Sequence, residues 1–67
     1  MSELTTAPNI SDPDSFYAEL LEAHDGLSDE ESASFNARLI LLLANHVGDR
    51  AVLSRAIEAA TPAHRKT

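Results

Sequence analysis

The chain of 67 residues contains no cysteine and no tryptophan, and it has only one tyrosine, two phenylalanines and two glycines. Without cysteine it forms no disulfide and offers no thiolate ligand to a metal ion. Chains of fewer than about 70–80 residues commonly depend on disulfides, a metal or oligomerisation, because a single small core supplies little stability. Two other sources of stability are therefore left: close helix packing and association with another chain.

Positive charge is absent from the first 31 residues, which hold nine of the eleven acidic side chains. The remaining residues carry all five Lys and Arg, and the formal net charge is −6. Because phosphate binding needs clustered cations, we expect neither a nucleic-acid partner nor a membrane partner. A charge distribution this uneven is typical of complementarity within the chain or of an oriented partner surface.

Long hydrophobic runs are also missing. The longest apolar run, residues 39–44, is far shorter than the ~20 residues that cross a bilayer. Met1 to Pro8 has neither the basic residue nor the apolar stretch of a targeting segment. We therefore expect a cytoplasmic protein.

The apolar residues follow helical spacing and show no strand alternation, which predicts a small all-α domain. Capping and stop signals divide it into three helices, at about 13–24, 29–47 and 50–60. The predicted domain covers residues 11–61. It follows a segment that we expect to be disordered, residues 1–10, and precedes a mobile basic tail, residues 62–67.

Each predicted helix boundary has a chemical signal. Ser11 or Asp12 can cap the first helix. Ser28 and Glu31 have the spacing of a capping box, in which each side chain accepts a hydrogen bond from the other residue's backbone N–H. Asp49 is placed to cap the third helix, and the two glycines follow the ends of the first and second helices.

The second helix is apolar on two sides. Projected at ~100° per residue, one stripe consists of large side chains, Phe35, Leu39, Leu42, Leu43 and His46. The other stripe lies ~130° away and consists mostly of small ones, Ala33, Ala37, Ile40, Ala44 and Val47. Either the short first and third helices sandwich the second, or a second chain covers one stripe. We expect the second arrangement, with the large stripe as the partner interface.

The sequence has no catalytic signature. The histidines lack metal-ligand spacing, the glycines do not form a phosphate loop, and nothing places a serine beside a base. We therefore predict no metal and no cofactor. An alternative is a small-ligand or enzymatic site in a homodimer interface, where Arg38 would hold a carboxylate and His46 would act as acid or base. Its residues would be Asn36, Arg38, Asn45 and His46.

The polar residues also have structural explanations. His24 and His46 lie near helix C-termini, where an imidazole can meet the last carbonyls and the helix dipole. Arg38 can pair with Glu19 or Glu22 of the first helix, although exposed pairs contribute only ~0–1 kcal/mol. The turn before the third helix is superficially like a helix-turn-helix, but the net acidity argues against DNA.

Residues 14–60 resemble a family of short bacterial helical proteins that is classed as a domain of unknown function. The most specific part of the resemblance is the pattern N-x-R-L-x-L-x-L-A-N-H-x-G-D, formed here by Asn36, Arg38, Leu39, Leu41, Leu43, Ala44, Asn45, His46, Gly48 and Asp49. Genes of this family often lie beside flavin-dependent monooxygenases and other aromatic-catabolism genes. The resemblance implies an accessory subunit or stabiliser, and it carries no catalytic role to any residue.

These observations together predict a small interaction or accessory protein without catalytic activity of its own. We expect it to dock through its second helix onto itself, as a homo-oligomer such as a dimer, or onto a larger enzyme. The resemblance implies that this enzyme is a flavoprotein oxidoreductase, in particular a flavin-dependent monooxygenase.

Overall fold

The computed structural model describes residues 3–65, which form three α-helices and a final turn of 3₁₀ helix. The elements are α1 (Pro13–His24), α2 (Asp29–Val47), α3 (Arg50–Ala60) and the 3₁₀ turn (Ala63–Arg65). The predicted all-α fold and the bounds of its three helices are confirmed, and no strand occurs in this part of the chain. The outermost residues of the two predicted terminal segments, 1–2 and 66–67, lie outside the described residues.

Asp12, rather than Ser11, caps the N-terminus of α1. Its Oδ1 atom accepts a hydrogen bond from the backbone N–H of Ser15 at 3.3 Å. Its own backbone is left-handed, with φ 54°, a conformation that Asp tolerates better than most residues because its short polar side chain can hydrogen-bond locally. Pro13 then occupies the first helical position, where the missing N–H costs no hydrogen bond.

The ends of α2 follow the predicted chemistry. Ser28 Oγ accepts from the Glu31 N–H at 3.1 Å, and Glu31 Oε1 accepts from the Ser28 N–H at 2.9 Å, so the capping box is complete. Gly48 ends the helix at φ 70°, where a Cβ would be strained. Asp49 Oδ1 then accepts hydrogen bonds from two N–H groups of the first turn of α3, at 3.0 and 3.2 Å.

No side chain among the described residues is buried. Most half-buried apolar side chains fall into two groups along the chain. The first, around the α1–α2 connection, consists of Leu20, Leu27, Phe35 and Leu39. The second, around the α2–α3 connection, consists of Ala44, Val52, Leu53 and Ala56. No pair of helices packs together over an extended length, so the fold is helical without having a closed core.

The helices are arranged openly. The chain of 7.2 kDa exposes 6047 Å², whereas a compact protein of this mass exposes about 4,100 Å². Its Cα radius of gyration is 13.9 Å, against about 11 Å for a compact domain of this length. The first and third helices therefore do not sandwich α2 along its length.

Replacing Ser28 by Ala removes one half of the capping box. We expect the free energy of unfolding to fall by about 1 kcal/mol, because the Glu31 N–H loses its acceptor. Urea denaturation followed by far-ultraviolet circular dichroism measures this loss. Ser34→Ala is the matched control, since Ser34 is an exposed mid-helix residue and Ala has the higher helix propensity. Equal destabilisation by both substitutions would contradict the assigned cap.

Candidate interaction surface

The middle of α2 is exposed around its whole circumference. Four consecutive side chains are each more than half exposed: Ile40 (63%), Leu41 (70%), Leu42 (69%) and Leu43 (52%). Consecutive helical residues project ~100° apart, so four of them sample every direction around the helix axis. Neighbouring elements therefore leave more than half of each of these four side chains exposed, on every side of α2.

The large stripe is covered only in its N-terminal half. Phe35 and Leu39 are half-buried, whereas Leu42, Leu43 and His46 are exposed. The imidazole of His24, at the end of α1, meets the ring of Phe35 edge-on, with the two ring centroids 4.8 Å apart and the planes at 78°. Helix α1 thus occupies part of the surface that the sequence predicted for a partner, and the exposed part lies toward the C-terminus of α2.

The small stripe remains open over most of its length, and we call it the Ile40 face. Val47 is 50% exposed and Ile40 63% exposed. Of the alanines, only Ala44 is half-buried. The complete Ile40 face consists of Ala33, Ala37, Ile40, Ala44 and Val47. It offers an apolar surface, partly covered at Ala44, on which alanines would let another helix approach closely.

His24 joins α1 to α2 by hydrogen bonds from both ring nitrogens. Nδ1 lies 2.8 Å from the carbonyl oxygen of Leu20, and Nε2 lies 2.9 Å from Oδ1 of Asn36. Both oxygens accept, and a neutral imidazole carries one N–H, so it donates one of these bonds directly; with Nδ1–H donating to Leu20, the second bond forms when the Asn36 amide is turned so that its NH₂ group donates to Nε2. The contact of His24 with a late helical carbonyl matches the sequence-based interpretation, but the link to Asn36 was not anticipated.

Within one chain, the four residues of the polar site predicted for a homodimer interface lie in three places on α2. Asn36 is engaged by His24, while Arg38 and Asn45 border a shallow depression on another side of α2 together with Leu41 and Leu42. His46 is exposed near the helix end. In the part of the chain that the structure describes, no carboxylate pairs with Arg38, so the ion pair with an acid of α1 is not formed.

A second surface depression lies where α1 meets the N-terminal half of α2. Its polar lining includes Glu30, Glu31 and Arg38, and its apolar lining includes Ala23 and Phe35. Across residues 3–65, no group of His, Asp and Glu has a metal-binding arrangement. No helix in that range has the length and apolarity to span a membrane.

The comparisons with known proteins give one result. The model of a family described as "Protein of unknown function (DUF2783)" matches residues 4–62, which include all three helices. No curated protein and no solved structure matches the chain. The family match supports the resemblance to a domain of unknown function, and it supplies no information on neighbouring genes.

Replacing Asn36 by Ala removes the side-chain partner of His24 on α2. We expect it to lower the free energy of unfolding by about 0.5–1.5 kcal/mol, because one hydrogen bond between two helices is lost. Amide hydrogen exchange in α1 should accelerate accordingly. Asn45→Ala is the matched control on the same helix, and it should leave exchange in α1 unchanged. Identical exchange in the two variants would show that the link does not hold α1.

Proposed function

The chain belongs to the DUF2783 family, and we propose that it is an interaction protein that works bound to another polypeptide through α2. The observation that carries this proposal is the exposure of every side of α2 from Ile40 to Leu43. Contiguous exposed apolar surface on a small protein is typical of an interaction site. In this role the protein contributes a contact surface to a complex, and its binding site is the apolar surface of α2.

The free energy available from covering α2 is large relative to the stability of a small domain. Fully burying one Leu or Ile side chain contributes about 1.5–3 kcal/mol. Because 52–70% of each side chain remains exposed, covering the four from Ile40 to Leu43 would contribute about 4–8 kcal/mol, against about 5–15 kcal/mol for the whole stability of a small domain. A partner that covers α2 changes the chain from an open set of helices into part of a closed core.

The polar groups of α2 are consistent with an accessory role without catalysis. Asn36 points toward α1 and is bonded to His24. Arg38 and Asn45 lie on another side, beside Leu41 and Leu42. Because these groups face different directions, they are suited to the edges of an interface rather than to one reaction centre.

The proposed partners are a second copy of the chain or a larger enzyme. The resemblance described above implies a flavin-dependent monooxygenase as that enzyme, and the proposal places the complex in the cytoplasm. The acidic first turn of α2, Asp29 to Glu31, suits a partner surface that carries Lys or Arg next to an apolar groove.

A second candidate function is binding of a small carboxylate at Arg38 and Asn45. It is favoured by the single observation that both residues border the same depression, where a guanidinium could bind a carboxylate in bidentate fashion. Arg38→Gln separates the two functions. Loss of carboxylate binding with intact protein association would support the ligand site, whereas unchanged binding of acetate and benzoate would exclude it.

Leu42→Gln tests whether α2 is a docking surface or part of a core. We expect the monomeric variant to keep its helix content and to lose less than about 1 kcal/mol of stability, whereas a core Leu would lose about 2–5 kcal/mol on truncation. Circular dichroism and urea denaturation at high dilution measure both quantities. The wild-type monomer should also enhance the fluorescence of anilinonaphthalene sulfonate more than the variant does.

The contradicting result has two parts. The wild-type monomer would be compact and bind no dye, and the Leu42→Gln variant would unfold. Small-angle scattering then gives a radius of gyration near the ~11 Å of a compact domain, instead of the 13.9 Å of the open chain. That outcome would mean that α1 and α3 suffice to cover α2, and the interaction proposal would fail.

A further inference from the structure

We propose that a second copy of this chain occupies the Ile40 face, with the two α2 helices antiparallel and crossing at Ile40. This inference rests on the proposed function and names the partner of the same surface. It differs from the sequence-based expectation, which assigned the interface to the large stripe. The exposure of the face, the spacing of its residues and the distribution of charge along α2 support it.

The Ile40 face has apolar surface left to bury. The chain exposes 6047 Å², about 1,900 Å² more than a compact protein of its mass. This excess is spread over the whole chain, including the exposed residues before α1, and the Ile40 face contributes to it through Ile40 (63% exposed) and Val47 (50% exposed). A second copy on this face would cover these side chains in both chains at once.

The residues of the Ile40 face follow the spacing of a helix-pairing seam. The steps from Ala33 to Val47 are four, three, four and three residues, which is the alternation of a heptad seam. Ile40 is the midpoint of this face, so a two-fold axis at Ile40 places Ala33 of one copy against Val47 of the other. Ala37 of one copy then faces Ala44 of the other and Ile40 faces Ile40, so alanine pairs on both sides of the central contact let the two helices approach closely.

The position of Arg38 favours the Ile40 face over the opposite side of α2. Arg38 is the central residue of the helix, so an antiparallel pair formed on its side would bring two guanidinium groups together at the axis. At ~100° per residue, Arg38 lies ~160° from Ile40. Packing through the Ile40 face therefore keeps the two Arg38 side chains apart, in solvent.

Charge sets the antiparallel direction. The first turn of α2 carries Asp29, Glu30 and Glu31. The chain beyond its C-terminus, residues 48–60, carries Arg50 and Arg55 together with Asp49 and Glu58, and it is therefore neutral overall. An antiparallel pair keeps the two acidic ends apart, each beside a neutral end, and it aligns the helix dipoles favourably. A parallel pair would place six carboxylates side by side, which is unfavourable at this net charge.

Sedimentation velocity on the full chain tests the surface. We expect a dimer for the wild type and at least a tenfold weaker association for Ile40→Glu, which places two carboxylates at the axis. Leu41→Glu is the matched control, because Leu41 is its equally exposed neighbour outside the Ile40 face; this variant should remain dimeric. A wild-type monomer at millimolar concentration, or equal loss in both variants, would overturn the proposal.

Cysteine cross-linking tests the orientation without depending on a destabilising charge. The chain has no cysteine of its own, so single Ile40→Cys should cross-link to itself on oxidation, because residues at the axis lie within disulfide distance. Ala33→Cys should not link to itself, but it should link to a mass-tagged Val47→Cys chain. Self-linking of Ala33→Cys would show a parallel dimer and would overturn the antiparallel assignment.

The same samples separate failure of the dimer from failure of the proposed function. A helical monomer that stays open and binds anilinonaphthalene sulfonate would overturn the homodimer and would leave docking onto a different polypeptide in place. A compact monomer that binds no dye would overturn both, because α2 would then have no surface left to offer.

Discussion

The apolar circumference of α2 determines what the rest of this molecule can do. A helix that exposes Ile40, Leu41, Leu42 and Leu43 together presents apolar surface that two short neighbouring helices do not cover. The exposed surface is large for 67 residues, and folding alone leaves no side chain of the described part buried. Because hydrophobic burial is the dominant favourable term in folding, the stability of this chain is tied to whatever covers α2.

Helix bounds could be predicted from the sequence because their causes are local. The bonds that cap the helices join residues two or three apart, as between Ser28 and Glu31, and Gly48 provides the left-handed turn that the end of α2 requires. Asp12 caps α1 in the same local way, but unlike the other two capping residues its own backbone is left-handed. These interactions form whether or not the helices pack, which explains why an open arrangement has the same helices as a compact one.

The candidate site was harder to predict, because it depends on the angles between helices. The hydrogen bond from His24 to Asn36 joins residues twelve apart, across the α1–α2 turn. No local sequence pattern predicts such a bond. The polar site proposed from Asn36, Arg38, Asn45 and His46 combined residues that project in different directions on one helix. The spacing of Arg38 and Asn45 did indicate that these two side chains lie close together, since residues seven apart share a helical face. The two apolar stripes were visible in the sequence, but which of them α1 partly covers was not.

Backbone hydrogen exchange of α2 across a concentration series tests the central claim most directly. If another chain covers α2, protection of the amides from Ile40 to Val47 must rise with protein concentration, while the α1 amides change less. That dependence would identify a second copy as the cover; with a larger partner, the rise would appear on adding that protein instead. Strong protection that is already complete at the lowest concentration, in a monomer, would contradict the account, because the chain would then close its core alone.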